Sequence, residues 1–264
     1  MIKLYDLLKE QIGKPKAIIL SGAPASGKGY VLKGLDLSSV KILNLDNKYI
    51  DNLKKANVSL DLKNSSPEER SKGAIAMYQA NKSFDQDVID TIKAKESFIL
   101  DGTAASYKKT LQLKIELEEA GYEVFMLYVY TDLERSLKQN QDRFEKSGGE
   151  DRSLMPAIVL KTWNSVTQNY KPYKDLFKNN FVSVANTLED EKSDNLEDIV
   201  DKYLTPYEPQ NKKPKTAARQ RYSDKQKAKT QSEIKALLGS GANEIIDSSV
   251  SAEEAKSKIN AFLS

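Results

Sequence analysis

Five short stretches of the chain are almost continuously apolar: Lys16–Ser21 (KAIILS), Lys41–Leu45 (KILNL), Ser97–Asp101 (SFILD), Glu123–Tyr130 (EVFMLYVY) and Phe181–Ala185 (FVSVA). Each is too short for a helix that could stand alone. The lack of apolar–polar alternation is the pattern of strands buried on both faces. Segments of helical periodicity lie between them. Strands alternating with helices predict an α/β fold, a parallel sheet covered on both sides.

The helices carry local signals. Ser66-Pro67-Glu68-Glu69 is an N-cap followed by proline and two acids, and Ile75, Met77, Tyr78, Phe84, Val88, Ile89 and Ile92 continue it to Ala94. A second helix spans Ser106–Ala120 and stops at Gly121, a residue suited to a left-handed cap. Thr131-Asp132 opens a third that runs to about Lys146, where Ser147-Gly148-Gly149 breaks it. Leu154–Leu176 predicts a fourth, bent near Lys171-Pro172. Short helices are expected at Met1–Gln11 and near Leu196–Leu204.

Beyond Thr205 the texture changes. Thr205–Thr230 carries three prolines, many Lys, Arg and Gln, and almost no large aliphatics, the composition of an extended basic linker. Gln231–Leu238 and Ser251–Leu263 predict two short helices around a Gly-Ser-Gly turn, the second opened by a capping-box pattern. Helices this short need a surface to dock on, either the core, another subunit or a partner protein. The expected organisation is a catalytic domain over 1–204, a linker over 205–230 and a helical segment over 231–264.

Composition narrows the chemistry. Cysteine and histidine are both absent, which excludes disulfides, thiolate nucleophiles, Ser-His-Asp triads and ordinary zinc sites. Acid–base work falls to Asp, Glu, Lys or Tyr. No apolar run approaches the roughly 20 residues of a membrane span, and the N-terminal stretch lacks a signal peptide's features, so the cytoplasm is the expected location. A net charge of +3 is too small to diagnose nucleic-acid binding.

The strongest motif is Gly22-Ala23-Pro24-Ala25-Ser26-Gly27-Lys28-Gly29, which follows the first predicted strand and precedes a helix expected over Lys28–Leu35. It fits G-x-x-x-x-G-K, with Gly29 where Ser or Thr usually stands. Glycines let successive N–H groups converge on one point, a helix N-terminus adds its positive end, and a lysine reaches the outer phosphates. The alternative is a glycine-rich turn that binds nothing. On the functional reading the nucleotide lies against Gly22 through Tyr30, Lys28 meets the β- and γ-phosphates of ATP, and Ser26 or water replaces the missing hydroxyl on Mg²⁺.

Two carboxylates follow strand ends, the face where ligands bind in such sheets. Asp46, in LNLDNKY, can accept the proton of an attacking hydroxyl, or cap a helix. Asp101, in ILDGT, can hold Mg²⁺ as a Walker B carboxylate does, or serve as a turn residue. Arginine is scarce, and Arg135, Arg143 and Arg152 all fall between the fourth strand and the helix after it. Arg143 and Arg152 flank the glycine pair. They suit a mobile lid, about 135–155, that closes on phosphates; surface pairing with nearby acids is the alternative. The run Lys212, Lys213, Lys215, Arg219, Arg221, Lys225, Lys227 and Lys229 reads as a solvated linker or a nucleic-acid tether.

Taken together these segments resemble the P-loop kinases of the zeta toxin and polynucleotide 5′-kinase family. GAPASGKG also resembles the adenylate kinase loop, which likewise has Gly after its Lys. LNLDNKYI resembles the family's second-strand stretch, whose Asp serves as base. ILDGTAASYKKTLQLKIELEEAGYEVFMLYV resembles its strand–D-x-T-N–helix–strand unit, and YTDLERSLKQNQDRFEKSGGEDRSLMPAIVLKTW its lid, in which an N-x-x-R helix leads through a glycine loop to R-x-v-P. The resemblance covers about Lys14 to Leu204 and implies a sheet of order 2-3-1-4-5, ATP and Mg²⁺ as cofactors, and a hydroxyl acceptor. Three positions depart from it: Gly29 replaces a hydroxyl residue, Ala104 stands where Asn often follows Thr, and Lys48 or Tyr49 replaces a frequent Arg.

Overall fold

Strand-forming runs separated by more than a dozen residues cannot pair as hairpins; they pair in parallel through helical crossovers. The computed structural model shows this arrangement. It describes residues 14–187 apart from 34, 36, 38, 39 and 63, and then 228, 229, 232 and 241–263. The helices expected at Met1–Gln11 and Leu196–Leu204 lie outside the described residues, as does that at Gln231–Leu238 except for Ser232 and the basic run except for Lys229. Five parallel strands form one sheet in the order β2-β3-β1-β4-β5: β1 (Lys16–Gly22), β2 (Lys41–Asn44), β3 (Phe98–Asp101), β4 (Glu123–Thr131) and β5 (Phe181–Asn186).

The connections are α1 (Lys28–Leu32), α2 (Leu45–Lys55), α3 (Pro67–Ala94), α4 (Tyr107–Glu119), α5 (Leu133–Lys146), α6 (Pro156–Gln168) and α7 (Tyr170–Phe177). Then α8 (Gly241–Asp247) and α9 (Ala252–Leu263) follow β5. α3 opens with the full capping box: Ser66 Oγ accepts from Glu69 N and the Glu69 carboxylate accepts from Ser66 N. α4 gives way to Gly121 at φ 84°.

Two expectations needed correction. The predicted Leu154–Leu176 helix is two helices, broken at Asn169 rather than bent at Pro172. Proline tolerates only the first turn of a helix, so the chain starts a new helix at Tyr170, which places Pro172 within that turn. α1 ends at Leu32, short of Leu35.

The alternation of side chains along each strand splits the core in two. Ala17 and Ile19 of β1 and Val124, Met126, Tyr128 and Tyr130 of β4 pack under α4, α6 and α7, with Trp163 buried and its Nε1 donating to Thr131 O at 2.8 Å. Ile18, Leu20, Phe125, Leu127 and Val129 face the other way, onto Val31 of α1 and Ala255 and Ile259 of α9. The C-terminal helices thus dock on the core. Ala255 and Ile259 are completely buried, Phe262 stacks on Phe125 at 5.0 Å, and Val250 forms a bridge with Val184 of β5. A third cluster joins Tyr49 and Leu53 of α2 to Ala76 and Ala80 of α3. No helix among the described residues is long and apolar enough to cross a membrane.

Candidate active site

The chain leaves β1 and enters α1 through left-handed residues, Ala25 (φ 56°) and Gly27 (φ 90°). A Cβ at Gly27 would lie 2.5 Å from the Asn186 amide nitrogen, and one at Gly22 would lie 2.6 Å from Ser26 Oγ and 2.7 Å from the Val129 carbonyl. Glycine is needed at both.

The loop's carbonyls are fastened one after another. Lys28 Nζ donates to Gly22 O and Ala23 O, each at 3.0 Å, Ser136 Oγ to Pro24 O at 2.7 Å, and Asn186 Nδ2 to Ser26 O at 3.0 Å. The Gln139 amide, oriented to satisfy both its ends, donates to Ala25 O at 2.5 Å and accepts from Arg135 Nε. Tyr30 N already donates to Gly27 O at 2.9 Å, so the N–H groups at the very start of α1, which a helix leaves without an internal partner, are the ones a ligand can use.

Beside the loop lies a cavity of about 940 Å³. Pro24 to Tyr30 form one wall, and Asp46, Asp101, Arg143 and Arg152 form the others. Gly22 and Ala23 sit behind it as the end of β1 and acceptors for Lys28. Tyr30, 65% exposed, stands at the rim with Lys256 Nζ 5.2 Å from its ring centre. Burial brings the Lys28 ammonium down from its ordinary 10.5 to about 8, against Asp101 and Asp46, which favour the charge. Burial pushes the Asp101 carboxyl up, while Lys28 and an Asn44 hydrogen bond hold it back.

Asn44 is the residue that sequence reasoning missed. The β2–β3 register sets it directly opposite Asp101, and its Nδ2 donates to Asp101 Oδ2 at 2.6 Å. Its oxygen accepts from Asn47 N at 3.1 Å and so caps α2. Asp46, one of the two readings of which was a helix cap, is therefore free of that task. It pairs with Arg152, Nη2 to Oδ1 at 2.5 Å, with Arg152 only 12% exposed and Asp46 55%. The Arg152 guanidinium also lies 5.5 Å from the centre of the Tyr49 ring, and burial raises the Tyr49 hydroxyl's pKa. Arg143 lines the cavity while pairing with Asp151, its Nη2 2.7 Å from Oδ2. Arg135 lies apart, donating to Thr187 O at 2.6 Å.

The metal expectation divides. Asp101 lines the cavity, its carboxylate the kind of oxygen donor a hard divalent cation takes. Ser26 Oγ is shut off from solvent beside Gly22 and does not present itself as a ligand. No group of three acidic, His or Cys side chains that could hold a metal exists among the described residues. Around Gly29 a Cβ would meet nothing within 4 Å, so the missing hydroxyl leaves open space.

No protein of curated function matches the sequence. Among solved structures, the AvrRxo1-ORF1:-ORF2 complex aligns with 17% identity over 97% of this chain and 82% of the other, with a TM-score of 0.52. A structure of the PezAT toxin–antitoxin system of Streptococcus pneumoniae aligns with 15% identity over 89% and 94%, with a TM-score of 0.49. One of the Pnkp1/Rnl/Hen1 RNA repair complex aligns with 20% identity over 60% and 46%, with a TM-score of 0.42. The first likeness supports the fold alone. The family model described as zeta toxin matches residues 3–195, most of the chain, and the protein belongs to the zeta toxin family.

Proposed function

We propose that the protein is an ATP-dependent kinase that moves the γ-phosphoryl group to a hydroxyl acceptor. The observation that carries this is the convergence of Lys28, Asp46, Asp101, Arg143 and Arg152 on one cavity beside the loop. The loop amides and Lys28 hold the ATP phosphates. Asp101, with its oxygen fixed by Asn44, would hold Mg²⁺, which when bound neutralises phosphate charge. Asp46 takes the proton of the acceptor hydroxyl. That oxygen forms a bond to the γ-phosphorus, the bond from phosphorus to the β–γ bridging oxygen breaks, and ADP departs with the electron pair. Arg143 and Arg152 face the oxygens that carry charge during transfer. Adjacent placement of Asp46 and Arg152 puts proton acceptor and phosphoryl-binding cation in the same half of the cavity.

The basic run from Lys212 to Lys229 favours including nucleic-acid 5′-hydroxyls among the candidate acceptors, beside nucleotides and sugar nucleotides. The decisive experiment supplies γ-labelled ATP with a metabolite and oligonucleotide extract and identifies the labelled product. Asp46→Asn should abolish labelling while ATP binding persists; labelling that survives in this variant sinks the assignment of the base.

A second reading, a nucleotide-binding scaffold without turnover, draws on Gly29, which offers no hydroxyl to a cation. Tight ATP binding with no transfer to any acceptor in the panel would favour it. The cytoplasm remains the proposed location, and a protein partner for the C-terminal segment remains open to pull-down.

A further inference from the structure

Arg152, only 12% exposed in the cavity wall, is carried by an irregular stretch, Asp151 to Leu154, between the lid helix α5 and α6. An arginine on a loop is placed only as well as the loop's backbone is. Two grips hold this one. On one side, Asn140 of α5 takes both polar groups of Leu154: its Nδ2 donates to the carbonyl at 3.0 Å, and its oxygen accepts from the N–H at 3.1 Å. On the other side, Ser153 is joined to the α2–α3 connection. Ser153 N donates to Leu60 O at 3.1 Å, Ser153 Oγ donates to Asp61 Oδ1 at 2.9 Å, and residues 61 and 153 form a parallel β-bridge. Asp61 is itself fixed, its Oδ2 accepting from Asn64 Nδ2 at 2.6 Å. A second cavity, of about 180 Å³ and lined by Asp61, Asn64 and Ser153, lies against this joint, so it is not packed solid.

From this geometry we infer that Asp61 is a positioning residue that, through Ser153, latches the lid and holds Arg152 on Asp46. The inference rests on the kinase reading for its effect on rate but not for its effect on structure. The α2–α3 connection also runs on from the helix that carries Asp46 and Tyr49, the two side chains Arg152 touches. Asp61 therefore registers the arginine against its partners from the same side of the cavity.

Two measurements separate the latch from the reaction. Trypsin cuts after arginine, and the Arg152–Ser153 bond lies inside the latched stretch. Loss of a hydrogen bond to a charged group is worth about a tenfold change in opening. Asp61→Ala should therefore raise cleavage at this bond about tenfold, and Ser153→Ala should do the same without touching the Asn64 contact. Asp61→Asn, which keeps an oxygen for Ser153 Oγ, should restore protection.

In the transfer assay, Asp61→Ala should lower kcat about tenfold with ATP affinity unchanged, since the phosphate loop is anchored elsewhere. Added to Arg152→Ala it should lower kcat no further, because it acts only through that side chain. Wild-type cleavage rates in both Asp61→Ala and Ser153→Ala overturn the latch, and so does an equal loss of kcat with and without Arg152. If no acceptor is phosphorylated by the wild-type protein, the kinase reading fails and the protease rates alone decide on the latch.

Discussion

Lys28 makes a prediction that can be worked through from its surroundings. Its ammonium is buried against two loop carbonyls, and its pKa falls from 10.5 to about 8. The shift corresponds to about 3 kcal/mol of penalty for holding the charge in the free site. The sign is fixed by linkage. The unfolded chain keeps its proton up to the higher value, so the charged lysine weakens the free fold below pH 8. That penalty is relieved as pH rises toward 10.5.

On the proposed reading ATP binding uses the charged form. At pH 7 nearly every free molecule is ready for it, whereas at pH 9.5 only about one in thirty is. ATP affinity should therefore fall about thirtyfold between pH 7 and pH 9.5, with the uptake of nearly one proton per ATP at the upper end. Calorimetric titrations in buffers of different ionisation enthalpy measure both quantities. Lys28→Arg, whose guanidinium keeps its proton throughout, should remove most of the pH dependence even where its absolute affinity is lower. A flat wild-type profile, or an arginine variant that falls as steeply, refutes the argument that Lys28 is the phosphate-binding charge.

Three further outcomes follow from positions already described. Gly29→Ser places a side chain in open space on α1 and adds a hydroxyl; helix propensity should raise stability by about 0.5 kcal/mol in urea denaturation, and transfer should saturate at lower Mg²⁺. Asp101→Asn removes a buried carboxylate whose burial disfavours its charge, so at neutral pH the melting temperature should rise while phosphoryl transfer is lost; a lower melting temperature would contradict the assigned electrostatics. Ile259→Ala empties a completely buried site between α9 and the sheet and should lower stability by about 3 kcal/mol, a value near zero showing that α9 does not cover this face.

The sheet was legible because strands buried on both faces need unbroken apolar runs, and all five runs became strands within a residue or so of their expected ends. The turn between β1 and α1 was legible for a comparable reason: its glycines answer steric demands that are local to the backbone. What stayed hidden depends on tertiary contacts. Asn44 gains its meaning only from the register that sets it opposite Asp101. The pairing of Arg152 with Asp46 joins residues more than a hundred apart, and the latch at Ser153 joins two loops.

Ser26 looked like a substitute metal ligand in the linear motif, yet the turn that glycine permits tucks its hydroxyl under Gly22. Ala104 was visible as a departure from the family, but the reason Asn suits that place is not visible in sequence: the backbone there is left-handed, at φ 47°, a conformation Asn tolerates better than Ala.

Trp163 is the chain's only tryptophan. Its indole is hydrogen-bonded to the last residue of β4, just before α5, and it rides on α6. A single native fluorophore is thus buried at the join of β4 and α6. If residues 135–155 close as the proposed lid, emission recorded while nucleotide is mixed in should change with that closure in unlabelled protein, before any acceptor is known.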